Sequence, residues 1–296
     1  MACQAEPTII VRALTRKPMS FRAKELVRAG ATVVEADFGN ITSLYNAFEG
    51  CYGAFGLTDY YEAFEEERQH GINIVDAAKA TKLKHLVMST VSPLVDSLKD
   101  TPVCAYKYQI HTYLAKSGVP YTAFTPSFYY SNIFLFDILT KGANGNWVMN
   151  FPFPSDIPIP CVSPEDIGAY ALAVFASPSE WIGENIWLCN ELISLRECVE
   201  TFAEVTGFTV KVYDECTRED FLALKDEPYV LGIWPVFKFF IDNHDQNYSY
   251  ASPALAQRLY PKKQTWKDFL TKYREVPIPQ PVAIECYHTR ERFGDP

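Results

Sequence analysis

The sequence predicts an α/β protein built on a doubly wound parallel sheet, followed by a smaller C-terminal lobe. Short apolar runs alternate with helical patterns through the first 125 residues, which is typical of β-α units and a parallel sheet. From Pro126 onwards, aromatic and proline residues become more frequent, which marks a change of architecture. The 296 residues, 48% of them hydrophobic, suffice for one domain with a lobe or for two domains.

Each element of the first part follows from the spacing of its apolar residues and from the glycine, proline and polar residues that bound it. The predicted strands are Ile9–Thr15, Thr32–Ala36, Gly53–Leu57, His85–Ser89 and Tyr121–Thr125. The predicted helices between them are Phe21–Ala29, Ser43–Phe48, Tyr61–Ala80 and Ala105–Ser117. Successive units of this kind are right-handed, so we expect helices on both faces of the sheet.

The second part contains fewer regular elements. Ser163 is expected to cap a helix that has Pro164 in its first turn and runs to Phe175. Asn185–Leu188 is predicted as one more strand, and Ser194 with Glu197 forms a capping box at the start of a further helix. The last predicted helix is near Trp266–Tyr273, and 276–296 is predicted as an extended tail.

The first predicted strand ends in two cations, Arg16 and Lys17. In a dinucleotide-binding sheet this pattern is typical of the second strand, whose tip holds the adenosine end of the cofactor. A first strand and a glycine-rich phosphate turn should precede it, whereas Met1–Pro7 contain no glycine. We therefore expect a sheet that lacks its first strand and its glycine-rich loop.

The cations at this strand tip favour NADP over NAD. A carboxylate there would accept from the ribose 2′-hydroxyl, whereas a guanidinium group pairs with the 2′-phosphate. Arg16 is the candidate for that contact, with Lys17 as its helper and Thr15 beside them. Asp37 and Phe38, at the tip of the next strand, are candidates to frame the adenine. The alternative is that both cations are ordinary solvated loop residues.

Further candidate site residues follow the later strands. Ser89 and Thr58 are candidates for binding the cofactor, because they lie where predicted strands end, at the carboxyl edge that faces the ligand crevice in open parallel sheets. The next helix carries Lys107 and His111, which are four residues apart and therefore on one face. Lys107 is the first candidate for proton transfer and His111 the second. The alternatives are a surface lysine and a packed histidine.

The aromatic segment from Pro126 to Asn132 follows the fifth predicted strand. Phe128 is a candidate to stack on the nicotinamide, and Asn132 is a candidate to brace the loop. A core aromatic cluster is the equally weighted alternative, because aromatic residues commonly pack in cores.

Composition narrows the classes of partner and site. The formal charge is −9 and the pI is about 5.1, without a basic run, which argues against nucleic-acid binding. No two of the eight cysteines have C-x-x-C spacing, so we expect no metal site. The apolar stretch from Tyr229 to Ile241 is interrupted and short, so no membrane association is expected. Free cysteines favour a cytoplasmic location, with the nucleus as the alternative.

Several segments in this order resemble the NmrA-like family, an atypical branch of the short-chain dehydrogenase/reductase superfamily. No single motif is diagnostic, but their order and spacing are similar over roughly residues 9–275. The segments are Val11–Pro18, Gly30–Asp37, Ala47–Gly50, Gly53–Phe55, Gly71–Ala80, Leu83–Val87, Lys107, Ser117–Thr122, Pro126–Asn132 and Pro164–Gly168.

The resemblance implies a Rossmann-like domain that binds NADP and a smaller substrate lobe. It implies that Arg16 contacts the 2′-phosphate and that Lys107 contacts the nicotinamide ribose. In isoflavone-reductase-like relatives such a lysine is the catalytic acid or base, whereas other members are non-catalytic NADP(H) sensors that bind regulatory proteins. Short-chain dehydrogenases place a catalytic tyrosine four residues before the lysine, and Val103 occupies that position here.

The expected organisation is an NADP-binding Rossmann-like domain in 1–125, to which 160–190 returns, and a substrate lobe formed by 126–159 and 191–275. The first functional hypothesis is an NADP-dependent oxidoreductase that acts on a small organic substrate in fungal secondary metabolism. The second is a non-enzymatic NADP(H)-sensing regulatory protein that binds a protein partner. The third is a degenerate relative with neither role.

Overall fold

The computed structural model describes residues 9–92, 97–141, 146–149, 151–212, 216–227, 234–246, 248 and 250–273. The chain forms two compact units. The first consists of Met1–Lys99, Val103–Thr125 and Ile167–Ile186, and the second of Asp100–Pro102, Pro126–Asp166 and Trp187–Pro296. The segment that returns to the first unit is thus Ile167–Ile186, within the expected range 160–190. The predicted tail lies outside the described residues.

The first unit alternates strands and helices as the apolar pattern predicted. Its strands are β1 (Arg12–Thr15), β2 (Thr32–Glu35), β3 (Gly53–Gly56), β4 (His85–Ser89) and β5 (Tyr121–Pro126). The helices that follow them are α1 (Phe21–Arg28), α2 (Ile41–Phe48), α3 (Tyr60–Ala63), α4 (Glu67–Ala80) and α5 (Pro102–Ser117). These bounds lie within three residues of the predicted ones, except at the helix predicted over Tyr61–Ala80.

That predicted helix is interrupted at Phe64. This residue ends α3 with a φ of 46°, and a short 3₁₀ segment, Phe64–Glu66, precedes α4. A positive φ is uncommon for a bulky residue and is incompatible with a continuous right-handed helix. The break starts a new helical phase at Glu67, which is fully buried although it follows two exposed glutamates.

The parallel strands of the first unit form two separate sheets. β1 pairs with β2, whereas β3, β4 and β5 form a second sheet with β10 (Asn185–Leu188), in the order β10-β5-β4-β3. Thr32 N of β2 donates to Val11 O, and Ala36 N, directly after β2, donates to Thr15 O. Arg12 and Leu14 therefore direct their backbone groups to the opposite edge of β1. Among the described residues, no strand pairs with that edge of β1 or with the outer edge of β3.

Both sheets of the first unit pack on the same helices. One hydrophobic cluster contains buried residues of α2 and α4, such as Leu44 and Ile74, together with Leu86 of β4. Leu14 of β1 and Ala54 of β3 are partly buried against this cluster. The two sheets are therefore separate in their hydrogen bonding but share one layer of helices.

The second unit contains two mixed sheets and many aromatic contacts. Its strands are β6 (Phe128–Tyr129), β7 (Leu139–Lys141), β8 (Trp147–Met149), β9 (Pro158–Val162), β11 (Glu191–Ser194) and β12 (Val210–Val212), in the sheets β11-β9-β6 and β12-β8-β7. Its helices are α6 (Asn132–Leu135), α9 (Leu195–Thr206), α10 (Arg218–Ala223), α11 (Trp234–Asn243), α12 (Pro253–Leu259) and α13 (Trp266–Tyr273). The predicted capping box of Ser194 and Glu197 is present.

The helix predicted to begin at Ser163 begins later. α7 covers Ile167–Ala176, and α8 (Pro178–Trp181) follows it. Ser163 Oγ accepts from Glu165 N at 3.2 Å and so closes a turn instead of capping the helix. The carboxylate of Asp166 accepts from Asn190 Nδ2 and from Gln264 N, at 2.7 and 2.8 Å. Asp166 thus organises a polar network in the second unit and does not form the first turn of α7.

No helix in the described part of the chain is long and apolar enough to cross a membrane.

Candidate functional site

Lys107, on α5, is the centre of a polar cluster in the first unit. Its Nζ donates to the backbone oxygen of Thr58 at 3.0 Å and forms an ion pair with Glu67. The Thr58 hydroxyl donates to Glu67 Oε1 at 2.7 Å. Because Thr58 follows β3 and Glu67 begins α4, three parts of the unit converge on the ammonium group. The structure therefore brings together Thr58 and Lys107, two of the predicted site residues.

Glu67 is the residue that the sequence analysis missed. Its side chain is 0% exposed, whereas that of Lys107 is 20% exposed. Its second oxygen, Oε2, is buried and has no hydrogen-bond partner among the described residues. Buried carboxylates are rarely found without a paired cation, since removing a charge from water is costly. The first unit therefore holds an ion pair with a fully buried carboxylate close to the carboxyl end of β3.

The groups around this ion pair are neutral at ordinary pH. Burial raises the pKa of the Cys104 thiol to about 11, a shift that Lys107 opposes and Glu67 reinforces. Burial also raises the pKa of the Tyr60 hydroxyl, with further contributions from Tyr106 and Glu67. A protonated thiol is a poor nucleophile, so the geometry gives Cys104 no role in covalent chemistry.

A close contact between α4 and α5 lies one turn beyond the ion pair. A Cβ added to Gly71 would lie 2.3 Å from Cδ1 of Ile110. Gly71 is four residues after Glu67 and Ile110 is three after Lys107, so both pairs share one helix–helix interface. The missing side chain at Gly71 lets the helices approach closely enough for the carboxylate to reach the ammonium group.

Arg16 lies directly after β1, as predicted, and forms an ion pair with Glu62 of α3. The two side chains are 53% and 61% exposed, so the pair contributes little to stability. Lys17 is exposed, and its backbone N–H donates to Thr15 Oγ1 at 3.1 Å. The structure places all three residues at the carboxyl end of β1. Binding of a phosphate by Arg16 there stays a prediction.

Asp37 and Phe38 form the turn between β2 and α2. Asp37 Oδ1 accepts from Gly39 N at 2.8 Å, which is a local Asx turn. The backbone oxygen of Phe38 accepts from Asn73 Nδ2 at 2.8 Å, and its ring meets His70 edge-on at 6.4 Å. These contacts fix the turn at the carboxyl edge of β2, and its predicted contact with adenine is not tested by them.

His111 is buried, with 2% of its surface exposed. Its Nδ1 lies 3.2 Å from Thr90 Oγ1, one residue beyond Ser89 at the end of β4. Its ring meets Tyr121 edge-on at 6.3 Å, and burial lowers the pKa of the imidazole. A buried imidazole with a hydrogen bond and a ring contact is what we expect of a packed histidine, the alternative to a catalytic one. The catalytic role of His111 stays a prediction.

Phe128 and Asn132 belong to the second unit. The ring of Phe128 is buried and packs against Phe136 and Phe237, with centroids 6.1 and 5.7 Å away. Asn132 begins α6, and its backbone oxygen accepts from Phe136 N at 2.9 Å. Phe128 thus has the contacts of a core aromatic cluster, and its stacking on nicotinamide stays a prediction, as does the role of Asn132 in bracing the loop.

The first unit contains an open cleft of about 580 Å³, and one of its lining residues, Tyr106, directly precedes Lys107 in the sequence. Aromatic and acidic side chains line it, namely Tyr60, Phe64, Glu65, Glu66 and Tyr106, together with Ala63. The Tyr60 and Tyr106 rings are stacked with their centroids 6.3 Å apart. Among the described residues, no group of three or more His, Cys, Asp and Glu side chains is arranged to hold a metal ion.

Known proteins similar to this chain include fungal oxidoreductases. It is 29% identical over 225 residues to the NmrA-like family domain-containing oxidoreductase FrzB of Cladobotryum sp, covering 68% of this chain and 67% of that relative. The corresponding values for malD of Malbranchea aurantiaca are 28% over 219 residues, 67% and 65%. The matches thus span about two thirds of the length of these relatives.

The solved structure of NmrA, a negative transcriptional regulator, in complex with NADP is similar in fold. Its TM-score is 0.72 with 21% identity, over 91% of this chain and 87% of that chain. At this identity the likeness shows the fold alone, a Rossmann-type α/β fold. The family model described as the NmrA-like family matches residues 2–270. The chain belongs to the NmrA-like family.

Proposed function

We propose that the protein is an NADP-dependent oxidoreductase that acts on a small organic substrate. The observation that carries this proposal is the Lys107 ammonium group, held by Thr58 and Glu67 where β3 ends. Ligands of open parallel sheets bind outside the carboxyl ends of the strands. The fungal relatives are named oxidoreductases, and NmrA, QOR2 and triphenylmethane reductase have structures with NADP(H), which supports the same function here.

The residues present are suited to bind NADP at its 2′-phosphate and at its nicotinamide ribose. Arg16, at the tip of β1, is an exposed guanidinium suited to a 2′-phosphate, which would replace Glu62 as its partner. Lys107 is suited to hold the nicotinamide ribose and to move a proton to or from substrate. We therefore expect the affinity for NADPH to depend on both of these cations.

When bound, the cofactor supplies the hydride, and the chain supplies binding and proton transfer. Thr58 and Glu67 each accept one proton of the Lys107 ammonium group, which leaves its third N–H for a ligand. Thr58 and Glu67 are buried, whereas the Lys107 side chain is 20% exposed. Under this proposal 1–125 with the returning segment is the cofactor domain, and Phe128 belongs to the substrate lobe.

Calorimetric titration with NADPH and NADH tests the cofactor assignment. We expect Arg16→Ala to weaken NADPH binding by about 10- to 100-fold, because a charge-assisted hydrogen bond is lost, and to leave NADH binding unchanged. Arg28→Ala is the matched control, since Arg28 pairs locally with Glu25 at the other end of α1. Equal loss of NADPH and NADH binding in the Arg16 variant would contradict the assignment.

Turnover tests the enzymatic assignment. NADPH consumption is followed with a panel of carbonyl, enone and quinone compounds as acceptors. We expect Lys107→Ala to reduce the rate at least 100-fold without unfolding the chain, which is within the usual contribution of acid–base groups. Lys116→Ala, an exposed lysine on the same helix, is the control. An unchanged rate in the Lys107 variant would reject its role.

A nucleotide-sensing regulator is the second candidate, because Val103 occupies the position of the usual catalytic tyrosine on α5. The named function of NmrA as a negative transcriptional regulator supports the same alternative. NADPH binding without turnover of any acceptor, together with a protein partner whose affinity changes with NADP(H), would favour this function. Absence of NADP(H) binding would reject both candidates.

A further inference from the structure

The buried carboxylate of Glu67 is costly for the fold. One of its oxygens has two partners, and the other is buried with none among the described residues. Burial of an ion pair usually contributes little net stability, and an unsatisfied buried acceptor is destabilising. A glutamate retained in such surroundings is therefore better explained by what it does to Lys107 than by stability.

We propose that Glu67 is a positioning residue for Lys107, and this rests on the proposed function. Glu67 Oε1 and Thr58 O hold two of the three ammonium protons and so fix the direction of the third. The carboxylate is also the counterion of the lysine, whose side chain is 20% exposed. Glu67 acts through Lys107 and touches no reacting atom.

The helix interface supports this assignment independently of the ion pair. Gly71 and Ile110 set the separation of α4 and α5 one turn away, and Asp76 Oδ1 accepts from Tyr113 OH at 2.7 Å further along the same interface. The interface thus has a second carboxylate contact that does not involve Lys107. Glu67 is not needed merely to join the two helices.

Lys107 has a neutral and a charged neighbour in the first unit. Cys104 lies on the same helix, and burial raises the pKa of its thiol, a shift that Lys107 opposes. Glu67 of α4 is the carboxylate that pairs with Lys107 among the described residues. A change of NADPH affinity in Glu67 variants therefore reports on the lysine and its counterion.

Glu67→Gln in the full chain tests the proposal, with Asp76→Asn as the matched control at the same interface. Calorimetric NADPH affinity is measured at pH 8, and urea unfolding is measured in parallel. We expect Glu67→Gln to weaken NADPH binding about tenfold, and to lower the unfolding midpoint because the counterion of a partly buried ammonium group is removed. Asp76→Asn should leave NADPH binding unchanged.

Wild-type affinity in Glu67→Gln, or an equal effect of Asp76→Asn, would overturn the proposal. Glu67→Asp serves as the second variant if Glu67→Gln does not fold, and it should bind NADPH more tightly than Glu67→Gln because it retains the carboxylate. A double-mutant cycle with Lys107→Met completes the test. We expect Glu67→Gln to have no further effect on binding when Lys107 is absent, and additive effects would overturn the assignment. If the wild type does not bind NADPH, the proposed function fails first, and the positioning role with it.

Discussion

The two parallel sheets of the first unit have strands of similar length but differ in burial, which is greater in the central strand of the four-stranded sheet than in the two-stranded sheet. β4 has four fully buried residues, and β5 and β3 pair with its two edges. β1 and β2 have no fully buried residue and pair only with each other among the described residues. Local sequence pattern therefore determines which residues form strands. How deeply a strand is buried depends on how many strands pair with it.

The candidate site residues are divided between these two sheets. Arg16 and Asp37 follow the strands of the two-stranded sheet, and Lys107 contacts Thr58 beside the four-stranded one. A two-stranded sheet is marginally stable without packing support. We therefore expect the cation for the 2′-phosphate to be held less rigidly than the lysine assigned to the ribose.

A pair of leucine substitutions gives the largest expected difference between the sheets. Leu86 of β4 is 0% exposed, and Leu14 of β1 is only partly buried on the same cluster. We expect Leu86→Ala to lower the free energy of unfolding by about 2–5 kcal/mol and Leu14→Ala by about 1 kcal/mol. Urea denaturation measures both. Equal losses would mean that the two sheets are equally well packed.

Acidification should lower the stability of the first unit through two buried histidines, one in the four-stranded sheet and one on α5. His85 of β4 is buried, with Nε2 2.8 Å from Thr122 Oγ1, and burial lowers the pKa of His85 and of His111. The unfolded chain binds more protons near pH 6.5, so stability should fall as the pH drops below that value, by at most about 1.4 kcal/mol per pH unit for each histidine.

The control for this prediction is the double variant His85→Gln/His111→Gln, followed by thermal unfolding from pH 8 to 5. Its dependence on pH over this range should be flatter than that of the wild type, whatever its absolute stability. A wild-type curve that rises on acidification would contradict the assignment of neutral, buried imidazoles.

The smallest expected effect on stability is at the exposed ion pair of the two-stranded sheet. Glu62→Gln should change the free energy of unfolding by less than about 1 kcal/mol, because both partners are more than half exposed. Under the proposed function it should also strengthen NADPH binding at low salt, since Glu62 competes for Arg16, and leave NADH binding unchanged. Weaker NADPH binding would show that Glu62 assists the cation instead.

Local patterns predicted most of the elements that build the site. The bounds of β4, β10 and α13 agree with the sequence prediction because apolar runs and flanking polar residues determine them locally. The ion pair of Glu67 and Lys107 could not be predicted. Its partners are 40 residues apart, and Glu67 is one of three consecutive glutamates. The break at Phe64 makes Glu67 the first residue of α4 and directs it inward, whereas Glu65 and Glu66 are exposed.

The edges of β1 and β3 that no strand of the described residues covers predict self-association of the protein. Rows of free amide and carbonyl groups can template pairing with another molecule, and exposed apolar side chains such as Ile10, Phe55 and Leu57 lie on or beside these strands. Self-association should therefore increase with protein concentration, and light scattering would detect it. Added salt would favour such aggregates by screening the net charge of −9 that keeps copies apart.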